Sequence, residues 1–153
     1  MKNINYLKTE ETLWVKGKLK GGNYKVKGNI SSQFISGLLF LLPLIEKDSE
    51  INIIPPIESV SYIKLTIAAL EKFGIKISWK DERTLFIPGK QKYIPCDSVV
   101  EGDYSNTAFF DAMNYLSSDI KIEGLNPESM QGDMAYLRHF PAIERGMPTI
   151  NIS

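Results

Sequence analysis

Apolar and polar residues alternate through residues 12–16 and again through residues 23–27, on either side of the glycines in Leu19-Lys20-Gly21-Gly22. A period of two predicts short strands joined through those glycines, with Gly28 ending the second. The period then changes. In SSQFISGLLFLLPLIE, Ser31 or Ser32 is placed to cap a helix whose Phe34, Ile35, Leu38, Leu39, Leu41, Leu42 and Ile45 cover nearly every face, the pattern of a central, buried helix. Residues 50–54 read as a strand closed by Pro55-Pro56. Residues 59–73 repeat Val60, Ile63, Ile67 and Leu70 at helical spacing before Gly74, which predicts an amphipathic helix stopped by that glycine. Residues 75–79 and 84–87 are expected to pair as a hairpin across Lys80-Asp81-Glu82-Arg83, with irregular chain at 93–95.

From Ser98 the order begins again. A short strand through Val99 and Val100, the turn Glu101-Gly102-Asp103, a helix carrying Ala108, Phe109, Ala112, Met113 and Leu116, a strand at 119–123, a turn at Asn126-Pro127, a helix from Ser129 and a strand at 149–152 are expected. Asp103 or Ser105 is placed to cap the first of these helices, and Pro141 is expected to break or kink the second near His139. Gly28 and Gly74 lie 46 residues apart, and Gly102 and Gly146 lie 44 apart; each pair brackets helix, strand, helix, so the second half echoes the first. The expected architecture is mixed, α+β or α/β, with one complete βαβαββ unit over roughly residues 12–95 and part of another. Residues 3–7 and the C-terminal strand lack expected neighbours, which gives the chain the look of a piece cut from a longer one.

The totals narrow the function. With 153 residues, 43% of them apolar, the chain can bury a core. Eighteen basic residues against eighteen acidic ones argue against a general nucleic-acid binder or a polybasic membrane-surface protein, both of which need excess positive potential. The single Cys96 has no partner for an internal disulfide, and charges interrupt the N-terminus where a signal peptide needs an apolar core. The apolar run 34–45 is shorter than the about 20 residues a bilayer requires. A cytoplasmic protein is expected.

The chemistry concentrates at Ser31-Ser32-Gln33. Two hydroxyls, an amide and the unpaired N–H groups of a helix N-terminus together make an anion cradle, although the same serines can simply cap the helix while Gln33 faces water. His139 has no carboxylate or cysteine at triad or ligand spacing and reads as a helix-surface residue. Asp103 and Asp133 each follow a glycine at a helix entrance, where capping is simpler than acid–base work. Phe109, Phe110, Met130 and Met134 read as core, and no metal site is expected.

Several runs raise a specific resemblance. VKGNISSQFISGLLFLLPL at 26–44, PPIESVSYIKLTIAALEKFGI at 55–75, VVEGDYSNTAFF at 99–110 and GLNPESMQGD at 124–133, with LWVKGKLKGG at 13–22, resemble in the same order an interior stretch of the EPSP synthases (3-phosphoshikimate 1-carboxyvinyltransferases). The resemblance implies a fold of two domains, each of three βαβαββ units in an inside-out α/β barrel arrangement, closing at a hinge of two crossing segments. Residues 1–100 would end the first domain, residues 101–153 would start the second, and residues 99–103 would be one hinge strand.

By the same resemblance Ser31 and Ser32 bind shikimate 3-phosphate, Gln33 lies between that substrate and phosphoenolpyruvate, Ser59 is a further phosphate-binding serine, and Tyr62 fills an aromatic position close by. Val60-Ser61 stands where the family more commonly has a Lys-Pro pair, which removes one positive charge from the pattern. The implied reaction adds the shikimate 5-hydroxyl to C2 of protonated phosphoenolpyruvate and then expels phosphate, with no cofactor. It demands cations for three anionic groups, an acid for the methylene carbon and a base for the hydroxyl. The family's N-terminal Lys-Ser and Arg segment, its glycine-rich loop, its later Asp, its Lys-Glu pair and its C-terminal Arg and Lys residues have no counterpart here, so no catalytic residue is assigned and the chain alone is expected to be inactive. The whole enzyme is expected to be a monomer, whereas this chain could self-associate through unpaired strands. Two other readings stay open: a non-catalytic truncated module with residual phosphate binding, and a relative of UDP-N-acetylglucosamine enolpyruvyl transferase.

Overall fold

The computed structural model describes residues 4–58 and 60–146, and the chain divides into two compact units, Met1–Cys96 and Asp97–Ser153. The expected strand at 149–152 and the position of Ser59 lie outside the described residues.

The first unit opens with β1 (Ile4–Lys8) and β2 (Leu13–Gly17), an antiparallel pair in which Ile4 faces Gly17 and Lys8 faces Leu13. The opening strand is therefore not loose, as its sequence suggested; it folds back on β2, and Thr9 and Thr12 tie the turn through their hydroxyls, 2.7 Å apart. The strands on either side of the glycines belong to different sheets. β3 (Asn23–Lys27) starts a four-stranded sheet, followed by α1 (Ser32–Leu41), β4 (Ser49–Ile54), α2 (Val60–Lys72), β5 (Ser78–Asp81) and β6 (Thr84–Ile87), in the spatial order β3-β4-β6-β5. This is a β-α-β-α-β-β succession. β3 and β4 run parallel, with Tyr24 beside Ile51, and such a pair needs a crossover, which α1 supplies.

Alternation in β4 sends Ser49, Ile51 and Ile53 inward and leaves Asn52 and Ile54 outside. Ile35 and Leu39 of α1, Ile63 and Leu70 of α2, and Leu85 and Ile87 of β6 close the same core, all with 1% exposure or less. Each fully buried side chain of this kind contributes about 1.5–3 kcal/mol, enough to hold the helices on the sheet. The stop of α2 is a Schellman turn: Ile75 N–H donates to Leu70 C=O (3.1 Å), Gly74 N–H to Glu71 C=O (2.9 Å), and Gly74 takes φ +79°, where a Cβ is strained. Leu70 and Ile75 are both buried and supply the apolar partner contact such turns favour.

Three expectations need correction here. α1 is not buried all round, because the sheet and α2 cover one side only; Phe34, Phe40 and Leu41 are each about half exposed. Residues 75–77 precede the hairpin as irregular chain rather than strand, although Ile75 and Ile77 are buried, because the Schellman turn sets their direction. The hairpin turn is thus shorter than predicted, confined to Glu82 and Arg83.

In the second unit α3 (Tyr104–Tyr115) forms as expected, whereas the helix expected from Ser129 starts later, as α4 (Tyr136–Glu144) led in by a 3-10 turn at Gly132–Ala135. The expected strands at 99–100 and 119–123 do not form. A strand exists through its ladder, and neither segment has one among the described residues; Gly102 N–H to Gly124 C=O (3.2 Å) is the point where the two stretches meet. Pro141 does not break α4. Its ring removes one helical donor, but Tyr136 anchors the first turn by burial, by its hydroxyl donating to Asp111 Oδ2 (2.5 Å) and by ring contact with Phe140, and Arg145 N–H still reaches Pro141 C=O. Phe109 and Phe110 are exposed rather than core, since α3 turns Tyr104 and Thr107 inward instead, and Met130, in the irregular chain before the 3-10 turn, is exposed as well.

The Tyr136 phenol gives this unit a pH dependence. Burial first, and the Asp111 carboxylate second, push its pKa well above the ordinary phenol value of 10.0. The folded state holds that proton more tightly than the unfolded chain. The stabilisation is therefore complete below pH about 10 and is lost as the pH rises above it. Far-UV circular dichroism and tyrosinate absorbance followed from pH 8 upward should show the second unit losing structure in the alkaline range, and Tyr136→Phe should flatten that dependence while lowering stability at neutral pH.

Candidate anion site at the start of two parallel helices

Gly28 directly follows β3, and this residue fixes the geometry that comes next. Its N–H donates to Ile54 C=O at the end of β4 (2.8 Å), and its C=O accepts from Glu58 N–H on the way into α2 (3.2 Å). The exits of two parallel strands are thus tied together, and the helices that follow both begin at that edge of the sheet. In open α/β sheets this edge, outside the carboxyl ends of parallel strands, is where ligands bind. A side chain on Gly28 has no room: a Cβ would stand 2.7 Å from Pro56 O and 2.9 Å from Ile57 Cα.

Three residues on, Ser31 takes an extended backbone (φ −172°, ψ 128°) and caps α1 by accepting Gln33 N–H on its Oγ (3.2 Å). The capping reading of this serine is thereby correct. It does not exhaust the hydroxyl, because accepting uses a lone pair and leaves the O–H proton as a donor. Ser31 and Ser32 are half-buried and Gln33 is exposed. The first turn of α1 carries no acidic side chain, so its own residues leave the positive end of the helix uncompensated. Two hydroxyls, an amide and first-turn N–H groups at such an end can hold a doubly charged oxyanion, provided cations come from elsewhere. A cleft of about 580 Å³ abuts α1 at Phe34 and Leu38 but is lined by Tyr24 and Val26 rather than by Ser31–Gln33, so the triplet sits on an open edge.

Tyr62 lies in the first turn of α2, 39% exposed. One turn further, Thr66 O–H donates to Tyr62 C=O (2.8 Å), and Thr66 Oγ1 is 2.8 Å from Ser36 Oγ on α1. The sequence marks Gly28 only as a strand end, without its tie to β4 and α2, and it does not single out the Ser36–Thr66 pair, whose signal is faint: one hydroxyl residue in each of two otherwise apolar stripes.

The remaining candidates resolve differently. Asp103 caps α3, accepting Ser105 N–H on Oδ1 (2.8 Å) and the Asn106 amide on Oδ2 (2.7 Å). Asp133 lies in the 3-10 turn that leads into α4, and His139 lies on α4, half-buried. Gln131 is a structural hub missed in sequence: its Oε1 accepts Tyr104 N–H, and its Nε2 donates to Gly102 C=O and to Glu101 Oε1, a carboxylate that also accepts from Ser129 and Asn126. Cys96 is an exposed free thiol. Among the described residues no three His, Cys, Asp or Glu side chains converge as metal ligands, and no helix is long and apolar enough to cross a membrane.

Comparison with known proteins gives the same direction throughout. The family model for EPSP synthase (3-phosphoshikimate 1-carboxyvinyltransferase) matches residues 2–144. A 3-phosphoshikimate 1-carboxyvinyltransferase from Clostridium perfringens is 49% identical over 132 residues, 85% of this chain and 31% of that protein. Those from Clostridium kluyveri (45%; 84% of this chain, 31% of that protein) and Clostridium acetobutylicum (48%; 82% and 29%) are similar to a comparable degree. The chain spans about a third of the length of these curated relatives.

Proposed function

The chain belongs to the EPSP synthase family, and from that premise we propose that it is the shikimate 3-phosphate-binding portion of an enzyme that transfers the enolpyruvyl group of phosphoenolpyruvate to the 5-hydroxyl of that substrate. Ser31 and Ser32 donate to the substrate's phosphate, Gln33 lies between it and phosphoenolpyruvate, Tyr62 contributes from the first turn of α2, and Ser59 is a further phosphate ligand. The observation that carries this reading is the uncompensated α1 N-terminus, with its hydroxyl pair, at the carboxyl edge of two parallel strands tied by Gly28. The β-α-β-α-β-β succession supports the family's barrel unit, and the division near Cys96 supports reading residues 1–100 as the end of one domain and 101–153 as the start of another across a hinge at 99–103. The reaction takes place in the cytoplasm in a monomeric enzyme and needs no cofactor.

A graft tests this. The matched segment of the Clostridium perfringens relative is replaced by the corresponding residues of this chain, and phosphate release is measured with both substrates. The chimera is expected to turn over. A folded chimera without activity would refute the reading. The 153-residue chain by itself is expected to release no phosphate above background, since the adduct's three anionic groups call for cations that the described Ser31–Gln33 edge does not supply. Titration of shikimate 3-phosphate into that chain should give weak, fast-exchange amide shifts at residues 30–33, because an open edge leaves the ligand solvated.

A further inference from the structure

We propose that Ser36 and Thr66 are positioning residues for the substrate edge: their hydrogen bond sets the register of α1 against α2 and thereby the spacing between the Ser31–Gln33 turn and the Tyr62 turn. The inference rests on the reading above for its functional half only. Thr66 has one hydroxyl proton and gives it to Tyr62 C=O (2.8 Å). Its oxygen is therefore the acceptor in the 2.8 Å contact with Ser36, whose O–H donates. The result is a directed chain, Ser36 O–H to Thr66 O–H to Tyr62 C=O, which runs from the second turn of α1 into the first turn of α2.

Ile35, Leu39, Ile63 and Leu70 bury apolar surface whose interdigitation holds the helices together. To that packing the hydroxyls add a directional contact. A hydroxyl pair at 2.8 Å weakens steeply with displacement and so sharpens the register. Both hydroxyls are partly buried, so a slipped register would leave a desolvated donor without its acceptor. Ser36 lies about one turn inside α1 and Thr66 about two turns inside α2, within reach of both N-termini for a slip of one helix along the other. Thr66 bonding back to the carbonyl four residues earlier is a known way for a threonine to sit inside a helix; here the same bond orients its oxygen towards Ser36.

The test uses Thr66→Val, which keeps the shape and removes the hydroxyl, beside Thr66→Ser, which keeps it. In the 153-residue chain, Thr66→Val is expected to move the amide resonances of Ser31, Ser32 and Gln33, none of which is among the hydrogen-bond partners of Thr66, while Thr66→Ser leaves them in place. Unmoved resonances in a folded Thr66→Val chain overturn the proposal whatever the chimera does. In the active chimera, Thr66→Val is expected to raise KM for shikimate 3-phosphate about three- to tenfold with kcat within about twofold, and Thr66→Ser to restore KM. A fall in thermal stability with unchanged KM would reduce the pair to packing and overturn the positioning role. An inactive unsubstituted chimera would instead count against the function reading, and the resonance measurement would still decide the register.

Discussion

Replacing Ser31 and Ser32 together by alanine in the active chimera is expected to lower kcat/KM for shikimate 3-phosphate by about 10²–10³-fold. Hydrogen bonds to a charged group are each worth about 1.5–3 kcal/mol, and two are removed from the phosphate, with partial compensation from the backbone N–H groups that remain. The loss should fall on KM more than on kcat if the hydroxyls hold the substrate's phosphate equally before and during reaction. Ser31 complicates the result, because it also caps α1, and losing a cap costs about 0.5–2 kcal/mol of stability. Ser31→Asp separates the two roles. An aspartate caps as well as a serine, so the thermal midpoint should hold, while its carboxylate faces the incoming phosphate and should cost at least as much binding as the alanine. Activity in Ser31→Asp close to that of the parent chimera would mean that no anion docks at this turn.

Much of the first unit was legible because its signals are local. The alternation of Ser49, Ile51 and Ile53, the serine before a run of helical apolar residues, and the glycine after Phe73 each translate into one element with one cause. What was not legible depends on partners distant in sequence. No periodicity in residues 4–8 announces that they pair with 13–17 rather than with another strand, and nothing in residues 119–123 announces that this apolar alternation runs without a ladder. The same limit explains α1. Phe34 and Leu39 look equivalent in the sequence, yet the sheet lies under one of them only, leaving Phe34 45% exposed and Leu39 fully buried. In the candidate site, the Ser31–Gln33 turn could be read directly, whereas its coupling to α2 through Gly28 and through Ser36 and Thr66 needs the two helices side by side. The echo between halves survives only in part: Gly28 and Gly102 each precede a helix, and where Glu58 N–H satisfies Gly28 C=O, the side chain of Gln131 satisfies Gly102 C=O, but the strands at 99–100 and 119–123 that would complete the second copy do not form.

Gly28→Val is expected to destabilise the first unit by about 3 kcal/mol or more and to abolish the chimera's activity at temperatures where it remains folded. The cause is contact, not conformational freedom, since Gly28 is absent from the positive-φ residues. Its Cβ would meet Pro56 O at 2.7 Å, Ile57 Cα at 2.9 Å and Ile53 Cγ2 at 3.0 Å. Two of these are backbone atoms, which a rotamer change cannot move. Relief requires the segment from Pro55 to Glu58 to back away from β3, stretching the bonds from Gly28 N–H to Ile54 C=O and from Glu58 N–H to Gly28 C=O. Those bonds bring the starts of α1 and α2 to one edge, so the substitution should damage the site beyond its effect on stability. Gly28→Ala should do the same to a smaller degree, with a raised KM in a chimera that still unfolds cooperatively. Urea unfolding followed by circular dichroism, with steady-state kinetics well below the midpoint, measures both quantities. A valine variant with parental stability and KM would show that the two strand exits move independently and that Gly28 does not set the site.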